Sequence, residues 1–272
     1  MRDLRPQISK FYDTGTKTYL RLYGPHFHDG YYTSGRESQR QAQEDLIIRL
    51  AGLAGITRGT RVLDVGCGVG GSSIWLAKNR EAVTTGIAIS QVQVNIAKRL
   101  AGKSGVSSEF HLMDAMNIQL DKKFDVIWIV DALVHLPDQH QFLQSSFDYL
   151  TPGGKLVIFD WMLKDDAVSS NRVEQVIEDM LLSGLVSMAG YQRTLTSAGY
   201  HISHAEDVTS YTVKTWQDAL SVTRKFSFFT GLGEIIMRPA ISLKFLRAVL
   251  GMRREMLAGR IRSGIIVAEK SR

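Results

Sequence analysis

The sequence predicts a doubly wound α/β fold on a mostly parallel sheet. Three observations predict it. Short apolar strand-like runs alternate with segments of helical spacing from Thr60 to Trp161. The run Phe124–Val130 is apolar almost throughout, as in a strand buried on both faces. Glycines follow the first of these strands where the chain turns into a helix. Right-handed crossovers would then align the strand C-termini along one edge, where ligands bind.

Residues 1–36 are rich in Tyr, His and Gly without a sustained period, which suggests a cap with one short helix. Residues 37–54 place Leu46, Ile47, Leu50 and Leu53 at helical spacing. Thr60–Val65 is the first strand and Ser72–Lys78 the helix after it. Val83–Ile89 is a strand, and Ser90 starts a helix over Gln91–Leu100. Phe110–Leu112 ends a third strand, and Phe124–Val130 is the fourth. His140–Leu150 reads as helix, Pro152-Gly153-Gly154 as a turn, and Lys155–Trp161 as the fifth strand. Beyond it, 172–198 reads as helical, 200–213 as extended and 214–258 as mostly helical. Ser263–Glu269 is a β-branched closing strand. The predicted division is a helical cap segment (1–55), a ligand-binding core (56–165), and cap helices with the final strands (166–272).

Composition narrows the function classes. The 272 residues are 44% apolar and 22% charged, which suits one large globular domain with a cap. No apolar run approaches a membrane span, and the N-terminus lacks an apolar signal core, so a cytoplasmic protein is expected. The single cysteine, Cys67, excludes an internal disulfide framework and a Cys-rich metal site. The net charge of +6 is uneven. From Lys214 onward twelve Lys and Arg face four Asp and Glu, so the rest of the chain is slightly acidic. Leu243–Arg262 reads as a basic amphipathic helix, either solvated over the core or touching a membrane surface.

The strongest motif is Asp64-Val65-Gly66-Cys67-Gly68-Val69-Gly70-Gly71-Ser72-Ser73. Such glycines let backbone approach a ligand and adopt positive φ. Gly66, Gly68 and Gly71 also satisfy a dinucleotide fingerprint. Asp64 argues otherwise, because a carboxylate there opposes a pyrophosphate but suits an ammonium or sulfonium.

Val62–Ala77 resembles the first motif of class I S-adenosylmethionine-dependent methyltransferases, most of all the γ-tocopherol methyltransferase group. Further resemblances follow in order. Gly86–Gln93 is similar to that group's GITLSPVQ, and Asp131–Asp138 to its ESxEHMPD. Leu150–Leu156 matches the turn before strand five, and Gly24–Tyr32 resembles GEHMHHGYY. The resemblance spans nearly the whole chain. It implies a Rossmann-like, seven-stranded, mostly parallel sheet with an antiparallel last strand and a helical cap. It implies S-adenosylmethionine as cofactor, held by Tyr12, Asp64, Gly66, Cys67, Gly68, Gly70, Ala88, Ile89, Gln93, Asp114, Ala115 and Val130.

Several of these residues have a second reading. Many members carry an acid at the end of strand two for the ribose; here it is Ala88. Gln93 is either a ribose contact or the last residue of a Ser90-x-x-Gln93 capping box. Asp114 is an adenine acceptor by position, or a helix cap. Tyr12 would lay an aromatic face near a sulfonium, worth about 0.5–2 kcal/mol. His135 follows strand four where an acceptor would sit, and imidazole titrates near ~6.5, so it is either the candidate base or a histidine bonded to the Leu133–Pro137 turn backbone. Asp131 is a weaker candidate for orienting acceptor or cofactor. His28, Tyr31 and Trp161 are candidate substrate contacts, with core packing as the alternative for Trp161. No metal site is expected.

The expected activity is methyl transfer to carbon, nitrogen or oxygen of a small lipophilic acceptor: a prenylated aromatic, terpenoid or alkaloid. Two alternatives stand beside it. Nucleic-acid methylation fits the basic tail, but adenine-amine enzymes carry a Pro-Pro segment that is absent here. A nicotinamide oxidoreductase wants the missing acid after strand two. Expected partners are thus a small molecule, no specific nucleic acid, a membrane surface through the basic helix, and a second copy in a homo-oligomer.

Overall fold

The structure is a computed structural model that describes residues 3–165, 170–219 and 239–271. Nineteen residues, Arg5–Tyr23, form α1, where sequence reading expects one short helix. Its inward face is Ile8, Tyr12, Thr16, Tyr19 and Tyr23, spaced three and four apart, and Thr16 in place of an apolar residue weakens the periodic signal in the sequence. Pro6 sits in its first turn and Gly24, with φ 77°, ends it. Gln39–Ala54 forms α2, capped by Ser38 and closed by Gly55 in the left-handed conformation.

The alternation then proceeds as predicted. It runs β1 (Arg61–Val65), α3 (Gly71–Arg80), β2 (Val83–Ala88), α4 (Gln91–Ser104), β3 (Glu109–Leu112) and β4 (Phe124–Val130). A 3-10 turn at Leu133–His135 leads to α5 (Gln139–Tyr149) and β5 (Leu150–Leu163). Here the turn expected at Pro152–Gly154 is an irregularity inside the strand. Leu150 already pairs with Phe124, the register shifts before Val126, and Gly153 takes φ 74°.

The remainder contains α6 (Asn171–Asp179), α7 (Met188–Ser197), β6 (Tyr200–Asp207), α8 (Thr209–Thr212), α9 (Pro239–Leu257) and β7 (Ile261–Lys270). The helical stretch expected at 172–198 is two helices, and the extended one at 200–213 ends in α8. Of the expected helical stretch 214–258, positions 220–238 lie outside the described residues.

The seven strands are ordered β3-β2-β1-β4-β5-β7-β6. The first five are parallel, and β7 inserts antiparallel between β5 and β6. Along β4, Ile127 and Ile129 face one core, while Val126 and Trp128 face the other with Leu46, Ile47 and Leu50 of α2. Both faces are covered, which accounts for the nearly continuous apolar run, broken only by Asp125. The chain order reverses between β1 and β4, so the crevice above their C-termini is the switch point of the sheet.

Candidate active site

The loop after β1 is tied to the next strand: the backbone N–H groups of Gly66 and Cys67 both donate to the Ile87 carbonyl, at 2.9 and 3.0 Å. Gly66 holds φ 75° with Ala132 so close that an added Cβ would lie 2.5 Å from its methyl. Gly70 starts α3, and a Cβ there would meet the Phe110 ring at 2.7 Å. A cavity opens on this loop. Its floor is Val65, Gly66 and Gly68; one wall is Ile87, Ala88, Ile89 and Gln93 from β2 and α4. The next is Met113, Asp114 and Ala115 after β3, and the last Val130, Asp131, Ala132, His135, Leu136 and Pro137 after β4. Arg5, Ile8 and Tyr12 of α1 and Phe27 close the top.

Eleven of the expected site residues therefore meet around one cavity, and six do not. Asp64 is buried beneath the loop, where Oδ2 accepts from the Ser73 hydroxyl at 2.6 Å, and burial pushes its pKa up to about 6. Cys67 is packed under Gly86, where a Cβ would lie 2.8 Å from its sulfur, and burial raises the thiol. Gly70 packs on Phe110. Tyr31 stacks on Tyr211 at 4.6 Å with the Arg49 guanidinium 5.1 Å from its ring. His28 and His26 flank Phe27, and it is Phe27 that reaches the cavity. Gln43 of α2 pins this segment by donating from Nε2 to the His26 and His28 carbonyls, at 2.8 and 2.9 Å. Trp161 packs edge-on against Trp216 behind the wall.

Long-range contacts with α1 escaped sequence reading. Arg5 Nη1 donates to Asp114 Oδ2 at 2.6 Å, while Asp114 Oδ1 accepts from the Met116 backbone at 2.9 Å. Ser9 donates to the Ile89 carbonyl at 3.0 Å, and Asp13 accepts from the Ser90 hydroxyl at 2.6 Å. Helix α1 thus lies across the exits of β2 and β3. Gln93 donates its backbone N–H to Ser90 Oγ at 3.1 Å, as a helix cap requires, and it also lines the cavity.

At the β4 exit, Asp131 holds φ 50°, a conformation that non-glycine residues rarely adopt. Its Oδ2 accepts from the Asp29 backbone at 2.7 Å, and its Oδ1 is buried without a partner. Asp160 of β5 accepts from the Trp161 and Val134 backbone N–H groups at 2.8 and 3.2 Å, which fixes the 3-10 turn. His135 on that turn directs Nδ1 at the Leu181 carbonyl, 3.0 Å away. A carbonyl only accepts, so Nδ1 carries the hydrogen and Nε2 of the neutral ring is the free base. Leu181 itself holds φ 56° to present that carbonyl. Burial pushes the His135 pKa down, so the ring stays neutral. The Tyr12 ring stands edge-on to it, 6.2 Å between centroids.

The cavity has two polar ends with an apolar middle formed by Ile8, Ile87, Ile89 and Leu136. One end carries the Arg5–Asp114 pair. The β4 side carries Asp131, whose Oδ1 has no partner, together with the edge-on pair of Tyr12 and His135. This suits a long ligand with an apolar body and a cation at one tip. The bare backbone at Gly66 and Gly68 leaves room for such a ligand to approach closely. Among the described residues no three His, Cys, Asp or Glu side chains converge on a metal position.

Residues 62–154 match a family model described as a methyltransferase domain. The chain is 34% identical to 27-O-demethylrifamycin SV methyltransferase of Amycolatopsis mediterranei (strain S699), over 78% of this chain and 80% of that protein. It is 34% identical to 2-methyl-6-phytyl-1,4-hydroquinone methyltransferase of Synechocystis sp. (strain ATCC 27184 / PCC 6803 / Kazusa), over 78% and 72%. Among solved structures it is similar to the [4+2]-cyclase SpnF, with TM-score 0.79 and 26% identity over 97% of this chain and 95% of that one.

Proposed function

The chain belongs to the class I S-adenosylmethionine-dependent methyltransferases, and on that premise we propose that it methylates a small lipophilic natural product at the β4 end of the cavity. The observation that carries the reading is the meeting, around one cavity, of the glycine loop and a neutral imidazole with a free Nε2. Family membership sets aside the nicotinamide alternative. The acceptor class is supported by relatives named for rifamycin and phytylhydroquinone substrates, and by the absence of the Pro-Pro segment that adenine methylation uses.

S-Adenosylmethionine, when bound, supplies an electrophilic methyl on a sulfonium. In this reading Gly66 and Gly68 let its backbone-facing side approach, and Ala88, Ile89 and Gln93 line its ribose. Asp114, held by Arg5, faces the adenine edge, with Ala115 beside it. Val130 and Asp131 flank the methionine portion, and Tyr12 covers it from above. Asp64, Cys67 and Gly70 act behind the wall, shaping the loop. His135 Nε2 accepts the proton that an O–H, N–H or C–H acceptor loses. Helix α1 excludes water, and alignment of acceptor and methyl supplies much of the rate. His28, Tyr31 and Trp161 support the walls and do not touch the acceptor. The exposed leucines of α9, Leu250 and Leu257, alternate with Arg247 and Arg254 and form the face for contact with a membrane.

A mass-spectrometric screen with S-adenosylmethionine and prenylated phenols, terpenoids and alkaloids tests this. Transfer of one methyl to a member of these classes is expected. Cofactor binding with methylation of DNA or RNA alone would contradict it.

A further inference from the structure

The segment Leu181–Gly184, just past α6, straps the 3-10 turn that carries His135. Helix α6 stops on a left-handed residue. The Leu181 N–H donates to the Glu178 carbonyl at 3.3 Å and the Leu182 N–H to the Ile177 carbonyl at 2.8 Å, with Leu181 at φ 56°. This pair of bonds is a common helix stop, but its left-handed position usually belongs to glycine. A leucine holds it only where the surroundings impose the conformation. The Leu181 carbonyl, now beyond the helix, meets His135 Nδ1.

The surroundings that impose it are specific. The Ser183 N–H donates to the Val134 carbonyl at 2.7 Å, and the Ser183 hydroxyl donates to the His135 carbonyl at 3.1 Å. One residue on, the Gly184 carbonyl accepts from Gln139 Nε2 at 3.1 Å. A carbonyl only accepts, so the amide nitrogen of Gln139 faces Gly184 and its oxygen faces the Tyr191 hydroxyl of α7, which donates to it. Leu182, between these anchors, is buried in the same apolar cluster as Val134. From the opposite side Asp160 accepts from the Val134 N–H at 3.2 Å. Val134 is thus held through both its N–H and its carbonyl, and His135 through its ring and its carbonyl. Ser183 and Gln139 supply the two side-chain bonds to this strap and turn, and neither is among the residues lining the cavity.

We propose that Ser183 and Gln139 are positioning residues for methyl transfer: they hold the Leu181 carbonyl on His135 Nδ1 and so decide which imidazole nitrogen carries the hydrogen. This rests on the reading of His135 as the base. A neutral imidazole without a fixed partner divides between its two tautomers, and only the Nδ1–H form leaves Nε2 free to take a proton.

Nitrogen-15 NMR of histidine-labelled protein at neutral pH tests the proposal without any ligand, because protonated and unprotonated ring nitrogens resonate far apart. The His135 signals are those missing from His135→Gln. The unmodified protein should show Nδ1 protonated and Nε2 bare. In the double variant Ser183→Ala with Gln139→Leu both nitrogens should move to intermediate positions. With the acceptor that the methylation screen returns, kcat should fall about tenfold while acceptor KM and S-adenosylmethionine affinity change little. Ser183→Thr keeps the hydroxyl and should retain the tautomer and kcat of the unmodified protein. If the double variant does not fold, Ser183→Ala alone gives the same readings at smaller amplitude. A fall in kcat with unmoved nitrogen signals would reduce both residues to a structural role and overturn the proposal, as would unmoved signals with unchanged kcat. If the signals move and kcat does not, His135→Gln decides. Full activity in that variant overturns the base reading; reduced activity overturns the proposal.

Discussion

His135 owes its tautomer to a main-chain carbonyl. Leu181 accepts from Nδ1, so the base nitrogen is Nε2 and the ring is neutral at physiological pH. His135→Gln keeps a polar group but no base, and kcat should fall about 10²- to 10⁴-fold while S-adenosylmethionine affinity changes little. The sign of the pH dependence follows from the burial shift. Activity requires neutral imidazole, so the acid limb of the kcat profile should lie below the ordinary value of 6.5 and vanish in the variant. An unchanged profile in His135→Gln would remove the histidine from the mechanism. Sequence reading reached His135 through a motif but not Leu181, which lies 46 residues away on an irregular turn. Asp29 was hidden for a different reason. It sits among histidines and tyrosines without a period, and only the folded loop brings its backbone to Asp131.

Elements divide by how local their signals are. The strands and helices from β1 to β5 announce themselves through apolar runs, caps and glycines, and they arrive where the sequence places them except at the start of β5, where the expected Pro152–Gly154 turn is absorbed into the strand. Helix α1 does not, because Gly15 and three threonines interrupt it and its anchors are distant: Asp114, Ile89 and Ser90. Its role predicts a distinct phenotype. Arg5→Met removes the tie to Asp114 and should weaken S-adenosylmethionine binding several-fold and speed its dissociation in stopped-flow experiments. An unchanged off-rate would mean that α1 does not retain the ligand. Helix α9 is less basic in effect than its sequence suggests, since Arg247 pairs with the Asp179 carboxylate at 2.6 Å. Its exposed Leu250 and Leu257 should still draw the protein onto phosphatidylglycerol vesicles in flotation, and Leu250→Glu with Leu257→Glu should abolish that. Equal flotation of the double variant would assign the contact elsewhere.

The whole molecule carries opposing sets of buried titratable groups. Asp29 and Asp160 are pushed up to about 7 and Asp64 to about 6 from an ordinary 3.8. The folded state therefore binds more protons than the unfolded chain above pH 3.8, and stability falls as pH rises toward 7. His26 and His28 are pushed down to about 3 and about 4, so they lower stability as pH falls below 6.5. Above pH 6.5 the histidines are silent and the acids act alone. Tm should drop between pH 6.5 and 8, and Asp29→Asn should reduce that drop; an identical drop in the variant would exclude Asp29. At this scale the sheet order and the binding edge were legible from alternation and from the glycine loop, whereas the grouping of Asp29, Asp131 and Asp160 was not, because it joins a loop, β4 and β5. The cavity above β1 and β4 is the proposed S-adenosylmethionine site. Gly68 lines it at φ 54°, a conformation Asp tolerates, and a Cβ there would meet nothing closer than 3.8 Å. Gly68→Asp should thus still fold, at a Tm lowered by the strained backbone, yet fill the cradle. Calorimetry below that Tm should show one S-adenosylmethionine per chain for the unmodified protein and at least tenfold weaker binding for Gly68→Asp. No binding to the unmodified protein at millimolar ligand, or equal affinity in the two, would contradict the account.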